Sequence, residues 1–505
     1  MRLRRFLRAT APPRQPSHSP AARYLHPMRK LPAWFRSHPI IPILLALAAL
    51  FTGAHFFLNW QAERRWQAYV KEGRARGVKF DLTEFAPPKI PDAENFAALP
   101  MMRAIMQPGA KSPMALPEKD RPNFGNTLKG ERLDWEKWQT FFKDAGFISE
   151  TTDSAPRDVL RALEHYAPQF QEWSEWKTRP RCRFDLDFKA GAAMSLVHLT
   201  IFQNAANLFT LRMRAHLALG ESAAAYADFT EGFQAYRALV EEPTLVSGMV
   251  RISVIAILLN GIGDGLSGHA WNEAELRKLD VDFATVRVWE DYGLSIASER
   301  GFANWLHETS IAASGQNRLQ VLRGLGGAGT PPSPEAAALM ACIPTRVYRD
   351  SQLRLNKYFD ELLAAVSIEG SSYNPNQPTP SGPENLSRFD NFYLFLFRAS
   401  APVYGSMTGR YALFQTKVDQ ARLAFAIERS RIARGTLPEQ LDELAPDFIV
   451  AIPADIYSGK ALIYRRKESG GFILYGVGPN RVDDGGATGG KGSEQSQPDW
   501  VWPHH

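Results

Sequence analysis

Cysteine is scarce in this chain, with two residues, Cys182 and Cys342, among 505. No pair is spaced as CxxC, which excludes a four-thiolate zinc site and a thioredoxin-like redox motif. In an oxidising compartment the two cysteines are able to form one disulfide if their Cα atoms lie close together. The alternative is two separate buried thiols, because a free cysteine behaves as a small apolar side chain.

The short motifs of common enzyme classes are also absent. The sequence has no GxSxG nucleophile elbow, no HExxH zinc motif and no GxxxxGK[ST] phosphate loop. The 11 histidines are scattered, and those in the predicted helical body are interpreted as partly buried, hydrogen-bonded side chains. They are His165, His198, His216 and His307. Whether the protein is an enzyme stays open, and a non-catalytic role is favoured.

Two polar groups resemble parts of catalytic sites. Asp185 and Asp187 in FDLDF would share one side of a strand, but a charged loop strand is the simpler interpretation. The second group lies on one predicted helix and consists of Glu299, Arg300, His307 and Glu308. Pairing between side chains about one helical turn apart explains this group without a catalytic role.

Acidic residues are absent from the first 38 positions, which contain nine lysines and arginines. The whole chain has a formal net charge of +6, so subtracting these nine leaves −3 for the rest. Basicity confined to one tail argues against nucleic acid as a partner, because a nucleic-acid-binding domain carries its basic residues on its own surface. With 45% hydrophobic residues, the chain is able to bury a sizeable core.

Charged residues are absent from Ile40–Leu58 as well. A helix of this length spans roughly 28 Å, close to the hydrocarbon thickness of a bilayer, so we predict a transmembrane helix at 39–59 in contact with membrane lipid. The basic tail places the N-terminus in the cytoplasm and the bulk of the chain in the periplasm of a bacterial inner membrane. A cleaved signal peptide is the alternative, although its apolar region is usually shorter. Met28 offers a second candidate start.

The patterns predict a mainly α-helical protein with an N-terminal transmembrane helix, a body of helical hairpins and a small α+β C-terminal module containing a β-hairpin. The predicted segments are a basic cytoplasmic tail (1–38), the transmembrane helix (39–59), a stalk with a Pro-rich irregular and helical region (60–185), the helical body (186–370), a linker (371–385), a long helix (386–436, clearest from Ser406 to Gly435) and the C-terminal module with its tail (437–505).

The clearest helical spacing lies on both sides of Gly220. Before it, apolar residues including Leu208 and Leu211 recur at helical intervals up to Ala218. The second set follows Ser222 at steps of three and four and consists of Tyr226, Phe229, Phe233, Tyr236 and Val240. We predict an antiparallel helix pair with Leu208, Leu211, Phe229, Phe233 and Tyr236 in one core.

A further apolar run, Leu245–Ile262, has Arg251 near its middle. A charge in lipid costs at least about 2.5–3.5 kcal/mol, so a buried core helix is favoured over a second membrane span.

Near the C-terminus, Ala461–Arg465 and Gly471–Tyr475 are strand-like and flank a polar KESG turn, which predicts a β-hairpin. Around it lie, in order, the long helix, LPEQLDEL, Pro453-Ala-Asp455, Gly459-Lys460, Tyr464-Arg465, Gly478-Pro479-Asn480 and Asp483-Asp484-Gly-Gly. This order resembles the C-terminal end of type II secretion major pseudopilins, over about residues 410–502. The whole chain is also similar to bacterial families of membrane-anchored proteins that share this ending and have no assigned activity.

The resemblance implies a Ca²⁺ site whose ligands would be Asp483, Asp484 and Asp499, with Asn480 as a further contributor. Ca²⁺ takes 6–8 oxygen ligands, which carboxylates and loop carbonyls supply. A solvated Asp-Gly turn is the alternative. The pseudopilin N-terminal signature is absent at Ile40, so only the module is carried over.

These features predict a membrane-anchored, extracytoplasmic protein with a scaffolding or interaction role among envelope proteins. One alternative is a secretion- or pilus-related component that uses the Ca²⁺ module. The other is an envelope hydrolase with an unrecognised site.

Overall fold

A computed structural model describes residues 40–126, 130–313, 343–367, 372–377, 380–387, 390, 394–468, 470–487 and 496–502. The described chain is mainly helical and contains two small antiparallel sheets. It divides into two compact units, residues 1–58 and residues 59–505. The basic tail and Cys342 lie outside the described residues, whereas Cys182 is buried.

The α-helices are α1 (Ile40–Ala75), α2 (Pro100–Ile105), α3 (Trp135–Asp144), α4 (Ala155–Leu163), α5 (Ala167–Trp173), α6 (Leu199–Ala218), α7 (Ser222–Arg237), α8 (Leu245–Ser267), α9 (Glu273–Phe283), α10 (Val288–Ala312), α11 (Thr345–Ala364) and α12 (Phe395–Arg434). The strands are β1 (Val366–Ser367), β2 (Ser372–Tyr373), β3 (Ile463–Arg466), β4 (Phe472–Val477) and β5 (Asp499–Val501).

Among the described helices, α1 and α8 are long and apolar enough to cross a membrane. None of the most apolar window of α1 is buried, as a membrane span requires. In α8, 56% of the corresponding window is buried, and Arg251 is fully buried and paired with Asp291 on α10. The burial of α8 accords with the predicted core helix.

The part of α1 in the second unit does not stand free as a stalk. Trp66 is buried and packs edge-on against Phe80, with ring centroids 6.0 Å apart. Glu63 accepts a hydrogen bond from Arg349 on α11 at 2.7 Å. This polar, amphipathic part of α1 is therefore attached to the folded body by its apolar face.

Helices α6 and α7 form where the apolar spacing predicts them. Gly220 has a φ of 75°, the left-handed conformation that favours glycine after a helix. The predicted core residues Leu208, Leu211, Phe229, Phe233 and Tyr236 are all buried in one cluster. The placement of Val240 on this helix was wrong, because α7 ends at Arg237 and the Val240 side chain is exposed.

The long helix α12 begins at Phe395, after the predicted segment start at 386 and before the clearest predicted start at Ser406, and Pro402 lies inside it. The start before Ser406 has a tertiary cause: Phe397 is fully buried and packs edge-on against Tyr358 of α11, with ring centroids 5.7 Å apart. Gly435, with a φ of 75°, ends the helix as predicted.

Part of the predicted linker is in contact with the body. Strand β2 pairs with β1, with Tyr373 opposite Val366. The ring of Tyr373 stacks on Trp289 of α10 at a centroid distance of 4.7 Å. These contacts join Ser372 and Tyr373 of the predicted linker to the helical body.

The predicted β-hairpin is confirmed: β3 and β4 are antiparallel, with Ile463 opposite Tyr475. Strand β5 pairs antiparallel with β4 on its other edge, giving the order β3-β4-β5. Trp500 and Trp502 on this return are buried in the same cluster as the helical body. Gln420 of α12 donates a hydrogen bond to the Trp500 carbonyl, so the sheet packs on the long helix.

Candidate functional site

The loop of the predicted cation site lies beside β5. Asp499 is buried, with 1% of its surface exposed. Its Oδ2 accepts hydrogen bonds from the backbone N–H groups of Asp484 at 3.1 Å and Gly486 at 2.8 Å. Gly485 and Gly486 have φ values of 76° and 83°, a backbone that glycine adopts without strain. The chain thus returns after the loop and brings Asp499 to the DDGG segment.

The other two predicted ligands have separate partners. Asp483 Oδ1 accepts from the Tyr475 hydroxyl at 2.8 Å and from the Gly485 N–H at 2.9 Å. The Tyr475 hydrogen bond, together with that from Gly485, lowers the pKa of Asp483. Asp484 Oδ2 accepts from the side chain of Asn480 at 2.7 Å. Asp483 and Asp484 therefore lie in one loop and Asp499 lies beside it in β5, but the three carboxylates do not converge on one point.

The electrostatics of the loop centre on Asp499. Burial raises the pKa of Asp499, and the neighbouring charges of Asp484 and Asp483 raise it further. Its Oδ1 is buried without a hydrogen-bond partner among the described residues. In the part of the chain that the structure describes, no group of three or more His, Cys, Asp or Glu side chains is placed to hold a metal ion. The Ca²⁺ site stays a prediction.

Ca²⁺ should raise the melting temperature of the full chain if the loop binds it, because a ligand of the folded state stabilises by RT ln(1 + [L]/Kd). At Ca²⁺ a hundredfold above Kd this is about 2.7 kcal/mol. Mg²⁺ should do less, since it demands tighter octahedral geometry. The measurement is a thermal melt in EDTA and in millimolar Ca²⁺, with Asp499→Asn as the test variant and Asp442→Asn, an exposed carboxylate outside the loop, as its control. Identical wild-type melts in the two buffers would remove the metal hypothesis.

The FDLDF segment is not a strand in the structure. Asp185 is exposed and pairs with Arg183 at 3.3 Å. Asp187 accepts a hydrogen bond from the Lys189 N–H at 3.0 Å and caps the 3₁₀ turn Phe188–Ala193. The two carboxylates have different local roles, which fits the non-catalytic interpretation, but the predicted strand was wrong.

His198, His216 and His307 are hydrogen-bonded as interpreted, whereas His165 is exposed and stacks on Phe147, so the interpretation was wrong for that residue. His198 is fully buried, and its Nε2 lies 2.9 Å from Glu242 Oε2. His307 Nδ1 lies 2.7 Å from the Ala303 carbonyl oxygen, and burial lowers the pKa of His307 to about 4. A histidine with this pKa is neutral in the core near pH 7.

The polar group on α10 is not explained by pairing within that helix, so this interpretation was wrong. Arg300 Nη2 donates to Asp360 of α11 at 2.7 Å. Glu308 accepts from Arg349, also of α11. The charged side chains of α10 join it to the neighbouring helix.

Arg300 also lines a cleft of about 610 Å³ that sequence reasoning missed. The walls come from the segment after α1, from α10 and from α11. No local pattern marks this site, because its residues are separated by more than 200 positions in the chain.

Comparison of the chain with protein-family models, with curated proteins and with solved structures gives no match.

Proposed function

We propose that this protein is a single-pass, membrane-anchored scaffold whose folded body lies outside the cytoplasm and binds other envelope proteins. The observation that carries the proposal is the apolar part of α1, of which none is buried. An exposed helix of that length and composition is unstable in water and stable in a bilayer. The nine basic residues before it favour retention of the N-terminus in the cytoplasm.

A non-catalytic body is supported by the use of its buried charges. Arg251 pairs with Asp291, and Arg429 pairs with Glu273 at 3.0 Å, in each case across two helices. Side chains engaged in this way hold helices in place and are not available for proton transfer or nucleophilic attack. Such ion pairs fix the helices relative to one another, as a rigid surface for binding other proteins requires.

The topology gives the first test. A reporter that is active only in the periplasm should be active when fused after Thr83, because the positive-inside rule exports everything beyond the span. The matched fusion after Ser37, before the span, should be inactive. Activity at Thr83 from a cytoplasm-only reporter would reject the proposed orientation, and a mature N-terminus near Ala54 would convert the anchor into a cleaved signal peptide.

A secretion- or pilus-related component is the second candidate, and the return of Asp499 onto the DDGG loop favours it. This candidate predicts that affinity purification of the full chain in Ca²⁺ recovers secretion components and that EDTA releases them. The scaffold proposal without the Ca²⁺ module predicts recovery of the same partners in both buffers. Failure to recover a secretion component in either buffer argues against this candidate.

A further inference from the structure

The cleft at Arg300 has the size of a small-molecule site. Its volume of about 610 Å³ falls within the roughly 300–1,000 Å³ typical of ligand pockets. Arg76 and Lys79 contribute from the segment that follows α1, Arg300 from α10 and Asp360 from α11. Three separate parts of the chain thus enclose it.

Arg300 is the feature that points to a ligand. Its surface is 2% exposed, and its Nη2 donates to Asp360 at 2.7 Å. Its Nε and Nη1 are buried and have no hydrogen-bond partner among the described residues. A guanidinium carries five N–H donors, and each buried donor left unsatisfied costs free energy. The rings of Phe80 and Phe359 lie 6.0 Å from Cζ, at the outer limit of a cation–π contact, so they compensate only weakly.

The acidic residues of the cleft are already engaged. Asp360 Oδ2 accepts from the Tyr69 hydroxyl at 2.7 Å and lies 4.0 Å from Arg76 Nη2, while its Oδ1 binds Arg300. Glu290 lies 4.0 Å from Arg287. Lys79 also lines the cleft, with its Nζ 5.1 Å from the ring centroid of Phe85. Three cationic and two acidic side chains line the site, so its remaining charge is positive.

The rest of the wall is apolar. It consists of Gly77, Val78, Phe85, Gly293, Leu294, Ala297 and Leu363. A fully hydrated inorganic anion gains nothing from such a surface, whereas a ligand with an apolar part buries it at about 25 cal/mol per Å². The cleft therefore combines one anion-seeking donor group with a larger apolar lining, the usual composition of a site for an amphipathic molecule.

We propose that this cleft binds a small amphipathic carboxylate. The carboxylate accepts hydrogen bonds from the unused N–H groups of Arg300 and is attracted by Lys79, and the apolar part lies against the side chains of Leu294 and Leu363. This inference goes beyond the scaffold function, because it adds a ligand-binding site that the scaffold does not need. A fatty acid and the C-terminal residue of a peptide both carry this chemistry.

The test is ligand binding by the full chain in lipid nanodiscs, with empty nanodiscs to subtract partition into lipid. Octanoate represents the fatty acid, and N-acetylleucine represents a peptide C-terminus. Octan-1-ol lacks the charge, and acetate lacks the apolar part. We expect octanoate or N-acetylleucine to bind at least about tenfold more tightly than octanol and acetate, because charge-assisted hydrogen bonds are about twice as strong as neutral ones. The tighter of the two carboxylates identifies the source of the ligand.

Variants locate the binding. Arg300→Met should weaken carboxylate binding by about tenfold or more, since it removes a charged hydrogen-bond donor. Because Arg300 is buried and its loss also affects folding, Lys79→Met is the second variant. Lys79 is exposed, so its replacement leaves the fold intact while lowering the affinity for carboxylate and not for octanol. Arg277→Met removes an exposed arginine on α9 outside the cleft and should leave binding unchanged.

Three results would overturn the proposal. Equal binding of octanoate and octanol would show that the cleft does not recognise an anion. Unchanged carboxylate affinity in both Arg300→Met and Lys79→Met would place the binding elsewhere. Signals no larger than those of empty nanodiscs for both carboxylates would show that the cleft binds neither.

Discussion

Replacing Phe233 with alanine should lower the free energy of unfolding by about 3–5 kcal/mol, the usual cost of removing a large buried ring. Phe233 is fully buried in α7. Its ring stacks on Phe229 at 5.3 Å and on Phe283 of α9 at 6.2 Å, and the guanidinium of Arg237 lies 4.8 Å from its centre. Alanine would remove these contacts and leave a cavity, because packed helices relax only partly around a lost side chain.

The measurement is chemical denaturation of the full chain in mild detergent, followed by circular dichroism. The matched control is Val281→Ala, which truncates an apolar residue that is 63% exposed on the neighbouring helix α9. It should change the unfolding free energy by no more than about 0.5 kcal/mol, as surface substitutions usually do. A loss below about 1 kcal/mol for Phe233→Ala would show that the α7 stripe contributes little to the core.

The α6–α7 region was predictable because each helix carries its own periodic apolar face. Leu208 and Phe233 are both buried, and Gly220 has the left-handed backbone that its position suggested. Periodicity specifies which side of a helix is apolar, and glycine specifies where the helix ends. Neither signal specifies the exact last residue of a helix. Val240 was therefore predicted to extend the apolar face of α7, although the helix ends before it.

Contacts between residues that are distant in sequence determine structural features that the local pattern does not predict. The start of α12 before Ser406 depends on the packing of Phe397 against α11. The ion pairs of Arg300 and Glu308 with α11 are set by how two helices face each other. Charged side chains on one helix also permitted a local explanation, and the sequence had no means to choose between the two.

In the candidate site, too, some features were predictable from the sequence and others were not. The hairpin of β3 and β4 follows from two strand-like runs and a short turn, so sequence predicted it. The return of Asp499 to the DDGG loop was expected from the resemblance, and the structure shows it. The individual partners were not predictable, because Tyr475 and Asn480 engage Asp483 and Asp484 through the three-dimensional shape of the loop. The Arg300 cleft had no local signature at all.

Replacing Arg251 with methionine should lower the free energy of unfolding by about 3–5 kcal/mol, the usual cost of breaking a buried ion pair by removing one partner. Arg251 is fully buried in α8, and its Nε donates to Asp291 Oδ2 at 3.2 Å. Its Nη1 also donates to the carbonyl oxygens of Leu239 and Glu242. The substitution would leave two carbonyl groups without this donor and Asp291 without its charged partner, with a hydrogen bond from the Tyr236 hydroxyl at 3.3 Å remaining.

The pKa of Asp291 adds a pH-dependent expectation for the stability of Arg251→Met. Burial raises the pKa of Asp291, and the charge of Arg251 opposes that rise. Without Arg251 the pKa of Asp291 should rise further, so that the folded variant takes up a proton at a higher pH than the wild type. Since a carboxyl group with a raised folded-state pKa favours the folded state at low pH, the deficit of Arg251→Met should shrink as the pH falls towards 4.

A double-mutant cycle separates the ion pair from the rest of the site. Asp291→Leu combined with Arg251→Met should cost at least about 1 kcal/mol less than the sum of the single variants, because the second change removes the stranded charge. The control is Arg103→Met, whose exposed pair with Asp92 should contribute no more than about 1 kcal/mol. Additive losses in the cycle, or a deficit of Arg251→Met that stays constant with pH, would show that the charge pairing does not hold α8 to α10. The destabilisation would then come from the lost carbonyl contacts alone, and α8 would be held in the body by its apolar surface.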